Sequence, residues 1–224
     1  MIKYHEEIVQ GSDEWLALRC GLLTASEMKL CVTPTLKVAD NEKTRAHAYE
    51  LLAQRITKYV EPHYVSDDML RGQEDEVRAR IEYTEKYAPV KEMGFITNDK
   101  FGFTIGFSPD GLVGDDGLIE CKSRRQKFQI ETIIDGKMPD DYLLQVQTGL
   151  LVSERKWCDF ISYSGGLPMA TYRVMADLQV QEVIIRGATA FENKLKEMYD
   201  LYHLRLSGEG RFIETERVVE EEMV

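Results

Sequence analysis

Paired cysteines, long apolar runs and an excess of positive charge are all missing from this 224-residue chain. Its four cysteines, Cys20, Cys31, Cys121 and Cys158, form no C-x-x-C pair. That spacing argues against a zinc ribbon, an iron–sulfur cluster and a disulfide framework, and leaves reduced, structural thiols. No stretch approaches the roughly 20 apolar residues that span a bilayer. The N-terminal residues also lack a basic-then-apolar signal segment, so the expectation is a cytoplasmic protein with no membrane partner. A formal net charge of -11 disfavours generic adhesion to a polyanion. Any nucleic-acid contact must therefore use a local basic patch, metal ions or an enclosed channel. No internal repeat or low-complexity segment is present, and the length suits one α/β domain over 1–224 with an acidic tail from about 209.

What is present is a punctuated alternation of helices and strands. Ser12 is an N-cap candidate ahead of Asp13 and Glu14, and Trp15 and Leu18 give a short helix ending near Gly21. Thr24 with Glu27 three residues on reads as a capping box opening a second short helix. Tyr49, Leu52, Ala53 and Ile56 repeat at helical spacing. A further helix is expected over 66–87, with Val77, Ile81 and Thr84 on one face and Glu76, Ala79 and Tyr83 on an adjoining one. Strands are expected at 94–98, 101–107 and 117–122, then a helix over 142–152. Strands over 156–163 and 169–175 flank Gly165-Gly166, a hairpin signal, and a helix over 181–206 carries Phe191, Leu195, Met198 and Tyr202.

The chemistry concentrates in Ser108-Pro109-Asp110-Gly111 and, ten residues after the aspartate, Glu120-Cys121-Lys122. Side chains alternate along a strand, so Glu120 and Lys122 share one face while Cys121 points to the other. Gly114-Asp115-Asp116-Gly117 is a tight-turn signal that brings Asp110 back beside Glu120. Charged groups rising from apolar strands must be paired or metal-bound to escape a desolvation cost. Hard cations such as Mg²⁺ take carboxylate oxygens, and a neighbouring lysine stabilises phosphate charge or helps deprotonate water. Phosphodiester hydrolysis is the chemistry these parts fit best. The run Lys122-Ser123-Arg124-Arg125-Gln126-Lys127 is either a solvated loop or, beside this site, a contact for the phosphate backbone through Arg124, Arg125 and Lys127.

Helix, strands bearing Asp and Glu-x-Lys, helix and further strands together resemble the PD-(D/E)XK nuclease core. Within that superfamily the chain is similar to the family of phage lambda exonuclease and its viral recombinase relatives, over roughly residues 8–205. Five ordered segments carry the likeness: Gly11 to Trp15 continuing through Leu18-Arg19-Cys20-Gly21 to Thr24-Ala25-Ser26; Arg71-Gly72-Gln73-Glu74-Asp75-Glu76-Val77-Arg78-Ala79; the Asp110 segment; the Glu120 segment; and Gln145-Val146-Gln147. The chain departs from the family pattern after Lys122, where no proline follows.

The resemblance implies a restriction-endonuclease-like α/β fold, with a central mixed sheet flanked by helices. It makes Asp110 and Glu120 metal ligands, Lys122 the catalytic lysine, and Glu76 and Gln145 further members of the catalytic set. Glu74 and Asp75 compete with Glu76 for the acidic role, and only the spacing from Gly72 prefers Glu76. Arg19, Ser26 and Ser108 match a pocket for a terminal 5′-phosphate, although Arg19 could equally cap its helix. Trp15 reads as a core anchor more than a base-stacking platform. The implied activity is Mg²⁺-dependent 5′-to-3′ digestion of double-stranded DNA ends, with Mn²⁺ able to substitute. A homotrimeric ring, a single-strand annealing protein as partner and a phage or prophage origin in a bacterial host are implied with it. A structure- or sequence-specific endonuclease and a non-catalytic DNA-end-binding module are the alternatives.

Overall fold

The structure, a computed structural model, describes residues 1–62 and 66–217. Residues 220–222, the acidic run expected in the tail, lie outside it. Strands β1 (Ile2–His5), β2 (Leu23–Thr24), β3 (Phe95–Asn98) and β4 (Ile105–Phe107) form one four-stranded mixed sheet in the order β1-β3-β4-β2. Strands β5 (Gly111–Val113), β6 (Gly117–Ser123), β7 (Trp157–Tyr163) and β8 (Ala170–Met175) form a second, in the order β5-β6-β7-β8. In the second sheet β6 and β7 are parallel and the outer pairs antiparallel. The chain passes from one sheet to the other through Ser108, Pro109 and Asp110, so Asp110 enters the second sheet directly ahead of β5.

Among the described residues six α-helices flank the sheets: α1 (Asp13–Arg19), α2 (Glu42–Thr57), α3 (Asp67–Lys86), α4 (Gln126–Asp135), α5 (Leu143–Ser153) and α6 (Leu178–Leu206). Helix α5 is apolar nearly all round and is buried from Val146 to Ser153, the pattern of a helix enclosed by protein. It packs against β3, β4 and β7. Gly149 allows this approach, since a Cβ there would stand 2.6 Å from Cζ of Phe107. The main core joins α5 and α6 to both sheets through Leu118, Phe160, Ile96, Ile105, Leu150 and Ile184, among others. No helix among the described residues is long and apolar enough to cross a membrane.

Three departures from the sequence reading bear on the site's surroundings. The strand expected over 101–107 begins only at Ile105, because Gly102 adopts φ +87 in a turn and Phe101 packs its ring near Phe103, 6.3 Å between centroids. The basic run after Lys122 is not one loop: Lys122 and Ser123 finish β6, and Lys127 already lies in α4. On α3 the buried residues are Asp75, Ala79 and Tyr83, whereas Val77 and Ile81 are 46% and 53% exposed. Polar anchoring explains that rotation. The Tyr83 hydroxyl donates to Asp159 at 2.6 Å, and Asp159 also accepts two bonds from Arg173, both at 2.8 Å. A buried carboxylate with three donors no longer carries an unmet desolvation cost.

Candidate active site

Strand β6 sets the centre. Its register against β7 pairs Glu120 with Phe160 and Lys122 with Ser162, and alternation brings both charged side chains to one face. Lys122 Nζ lies 2.6 Å from Glu120 Oε1, with Glu120 only 2% exposed. Asp110 is buried, and its Oδ2 accepts the backbone N–H of Cys121. From α5, Gln145 Nε2 donates to Glu120 Oε1 at 2.6 Å. Gln147 points away, donating to the Met175 carbonyl and accepting from the Asp177 N–H.

A cavity of about 150 Å³ collects these groups with the expected phosphate residues. Its lining includes Asp110, Glu120, Lys122 and Gln145 together with Arg19, Ser26 and Ser108. Arg19 ends α1, and its guanidinium lies over the Trp15 ring, 4.3 Å from the centroid, one helical turn back. The Trp15 indole donates to Ser108 Oγ at 2.9 Å, so one side chain supports two members of the expected phosphate pocket. The turn that follows is fixed from behind. Gly21 has φ +72 and Arg55 Cγ would stand 2.6 Å from any Cβ there, while Arg55 donates to the Gly21 carbonyl and pairs with Glu192. Thr24 Oγ1 lies 3.3 Å from Ser26 Oγ, and the Glu27 carboxylate accepts from both the hydroxyl and the N–H of Thr24. A larger hollow of about 560 Å³, lined by Tyr4, Glu6, Lys91 and Arg155 among others, lies elsewhere; its Glu6–Lys91 pair, 2.7 Å apart, is exposed rather than buried.

The electrostatics describe a site poised for a cation. Burial pushes the Asp110 carboxyl well above its ordinary range, and the negative charges of Glu120 and Glu76 push it further. Glu76, from α3, is raised by burial too; Arg80 opposes this and Glu120 adds to it. Burial works to lower the Lys122 ammonium, but Glu120 and Asp110 outweigh it and hold its pKa above the usual lysine value. Glu120 Oε2 is buried with no hydrogen-bond partner. Among the described residues no three acidic, histidine or cysteine side chains form a ready-made metal cage. Mg²⁺ does not need one, since it commonly binds through one or two carboxylates and retains waters. An orphaned carboxylate oxygen beside a second buried carboxylate fits such an ion.

Of the candidates Glu74, Asp75 and Glu76, it is Glu76 whose carboxyl feels the charges of Glu120 and Lys122. Asp75 is buried against Ser123 Oγ at 2.6 Å, and Glu74, 72% exposed, pairs with Arg78. The basic residues divide. Arg124 donates to the Tyr142 hydroxyl at 2.9 Å, and Lys122 Nζ lies 5.7 Å from the same ring. Arg125 is engaged by Asp68 at 2.6 Å, and Lys127 Nζ sits 4.5 Å from the centroid of the Phe128 ring. Sequence reasoning missed Tyr142 and Thr24 as neighbours of the site, and the support that Trp15 gives to Arg19. The four-residue spacing from Trp15 to Arg19 was the available signal for the last.

Comparison with known proteins adds the family context. Residues 14–156 match the YqaJ-like viral recombinase domain. An alkaline exonuclease, LHK-Exo from Laribacter hongkongensis, is 32% identical; the match covers 88% of this chain and 98% of that one, with a TM-score of 0.78. A crystal structure of LHK-Exo in complex with dAMP matches at 33% identity over the same shares, with a TM-score of 0.79. A phage-related exonuclease from Haemophilus somnus 129PT, 12% identical, shares the fold at a TM-score of 0.59 over 83% of this chain and 96% of its own. No curated protein sequence matches the chain.

Proposed function

The chain belongs to the YqaJ-like viral recombinase domain family, and from that membership we propose a Mg²⁺-dependent 5′-to-3′ exonuclease acting on double-stranded DNA ends. It leaves 3′ single-stranded overhangs for homologous recombination. The observation that carries the reading is the sharing of one cavity by Asp110, Glu120, Lys122 and Gln145 with Arg19, Ser26 and Ser108. A site for hydrolysis and a site for a terminal phosphate then lie within a few side chains of each other.

In this reading Asp110 and Glu120 hold the divalent ion, Mg²⁺ or Mn²⁺, and Gln145 fixes the Glu120 carboxylate through its amide. When bound, the ion supplies Lewis acidity toward the attacking water and the phosphate oxygens. Lys122, whose ammonium Glu120 and Asp110 favour against burial in the metal-free chain, would stabilise negative charge on the attacking oxygen and the phosphate. Glu76, raised by burial, orients the water from α3. The water oxygen forms the new P–O bond as the bond to the 3′-oxygen breaks; the water releases one proton to solvent and the departing 3′-oxygen takes one up from it. A mononucleotide is released and the shortened strand again ends in a 5′-phosphate. The dAMP bound by LHK-Exo supports a mononucleotide as the product here.

Arg19, with Ser26 and Ser108, receives that terminal phosphate; a guanidinium forks onto phosphate oxygens and hydroxyls complete the cradle. Arg124, Arg125 and Lys127 contact the DNA backbone. A net charge of -11 gives little counterion-release energy to hold a monomer on DNA. A homotrimeric ring around the duplex supplies the retention, with a single-strand annealing protein receiving the product strand in the bacterial cytoplasm. Digestion of linear DNA labelled at either end, with and without Mg²⁺, tests the activity. Early release of 5′-labelled mononucleotide, only with Mg²⁺, is expected; cutting of a closed circle or first loss of the 3′ label overturns it.

A further inference from the structure

A second basic feature lies just past the end of the catalytic strand. Arg71, on α3, donates through Nη1 to Asp68 Oδ1 at 2.9 Å, and Arg125, 57 residues away in sequence, donates through Nη2 to Asp68 Oδ2 at 2.6 Å. One carboxylate thus bridges two guanidiniums from different elements, each oxygen taken by a different arginine. Asp68 lies in the first turn of α3, where a carboxylate is favoured by unpaired backbone N–H groups. Helical spacing also accounts for the Asp68–Arg71 pair. Neither accounts for Arg125, which arrives from the junction between β6 and α4.

Arg71 is held in place from beneath. Arg71 Nε reaches Ser123 Oγ at 3.3 Å, and Ser123 donates in turn to the buried Asp75 at 2.6 Å. Ser123 follows Lys122 on β6, so this cluster is attached to the same strand as the catalytic lysine. Along α3, Arg71 precedes Glu76 by five residues, roughly 7.5 Å of helix axis. That is on the order of two base-pair rises of 3.4 Å. Asp68, Arg71 and Arg125 remain accessible, with side chains 50%, 43% and 64% exposed.

We propose that Arg71 and Arg125 form a second phosphate-binding site, for a backbone phosphodiester a few nucleotides from the cut, and that Asp68 occupies it until DNA displaces it. Two oxygens of one acid meeting two guanidiniums is the geometry a phosphodiester would take over. The inference rests on the reading of DNA as substrate. It adds Arg71 to the backbone contacts and gives Asp68 the role of a removable counterion.

Equilibrium binding of the full chain to a 5′-phosphorylated duplex, followed by fluorescence anisotropy in EDTA between 50 and 200 mM KCl, tests it. Each phosphate contact contributes about a threefold loss of affinity across that salt range. Arg71→Gln and Arg125→Gln should each shrink the loss by about threefold. Asp68→Asn should do the opposite, binding more tightly at 50 mM and losing about threefold more by 200 mM. Unchanged salt dependence in both arginine variants, or an Asp68→Asn protein that melts normally and binds no more tightly, overturns the site. If Arg71→Gln does not fold, the more exposed Arg125→Gln reads the same contact. Strand cutting with Mg²⁺ is scored separately: its absence from the unmodified protein defeats the nuclease reading and leaves the salt dependence to decide this one.

Discussion

Replacing Asp110 by Asn should stabilise the metal-free protein while removing its response to a divalent ion. Asp110 is 9% exposed and carries an acid group raised by burial and by Glu120 and Glu76. A native pKa above the unfolded value means that the native state binds protons more tightly. Stability from this group is full below the unfolded pKa of about 3.9 and is lost as pH rises through the native value. As pH rises past that native value the folded chain comes to hold a buried charge, offset by Lys122 and the Cys121 backbone N–H. An amide can keep the bond from Cys121 without the charge. The gain is about 1–3 kcal/mol, the usual size of one buried polar penalty, or about 2–12 °C in melting temperature for a chain of this length.

Divalent metal should reverse the order. A ligand at 100 times its dissociation constant stabilises the native state by about 2.7 kcal/mol, and the variant lacks one of the two proposed carboxylate ligands. Thermal unfolding at a series of alkaline pH values, in EDTA and in excess Mg²⁺, measures both effects. The unmodified chain should melt lower than Asp110→Asn in EDTA and rise with Mg²⁺, whereas the variant stays nearly fixed. A variant that melts lower than the unmodified chain in EDTA would refute the account of the buried charge. An unmodified chain indifferent to Mg²⁺ and Mn²⁺ would refute the metal site.

Lys122→Ala should lower single-turnover hydrolysis by about 10²–10³-fold, the cost of removing one preorganised charge-stabilising group, with a cooperative melt retained; near-normal rates in quenched-flow assays contradict its role. Arg19→Ala should cost about 10- to 100-fold in kcat/KM on 5′-phosphorylated ends, since a charge-assisted hydrogen bond is worth about 1.5–3 kcal/mol. The same change should alter digestion of 5′-hydroxyl ends little, and equal rates on both kinds of end in the unmodified protein exclude the pocket. Light scattering at micromolar concentration should report three times the 25.8 kDa chain mass; a monomer that digests distributively under excess competitor DNA removes the ring.

The centre of the candidate site was legible because a two-residue alternation fixes which side chains on β6 share a face, and Glu120 and Lys122 do so. Gln145 came from the family resemblance, and its amide lies 2.6 Å from Glu120. Helix α4 was not legible, because its N-cap position is Arg125, which makes no side-chain cap bond, and the basic run looks like loop. Its stop signal was present in Gly136, a left-handed C-cap at φ +64. The rotation of α3 was hidden for another reason. Hydrophobic periodicity locates apolar stripes, and this helix docks through Asp75 to Ser123 and Tyr83 to Asp159, pairings that depend on partners 48 and 76 residues away.

Placing opposite tasks in one small cavity also sets the length of the step on the proposed reading. Arg19, Ser26 and Ser108 attract an anion, while Asp110 and Glu120 repel one unless a cation lies between. A free strand end can therefore settle in only one orientation, with its terminal phosphate on the guanidinium and the next phosphate toward the carboxylates. Cutting there removes one nucleotide and creates another terminal phosphate, the group for which the arginine side of the cavity is built. The charge pattern that admits the substrate is restored in the product strand after every turnover, so repeated advance along DNA requires no change in what the pocket recognises.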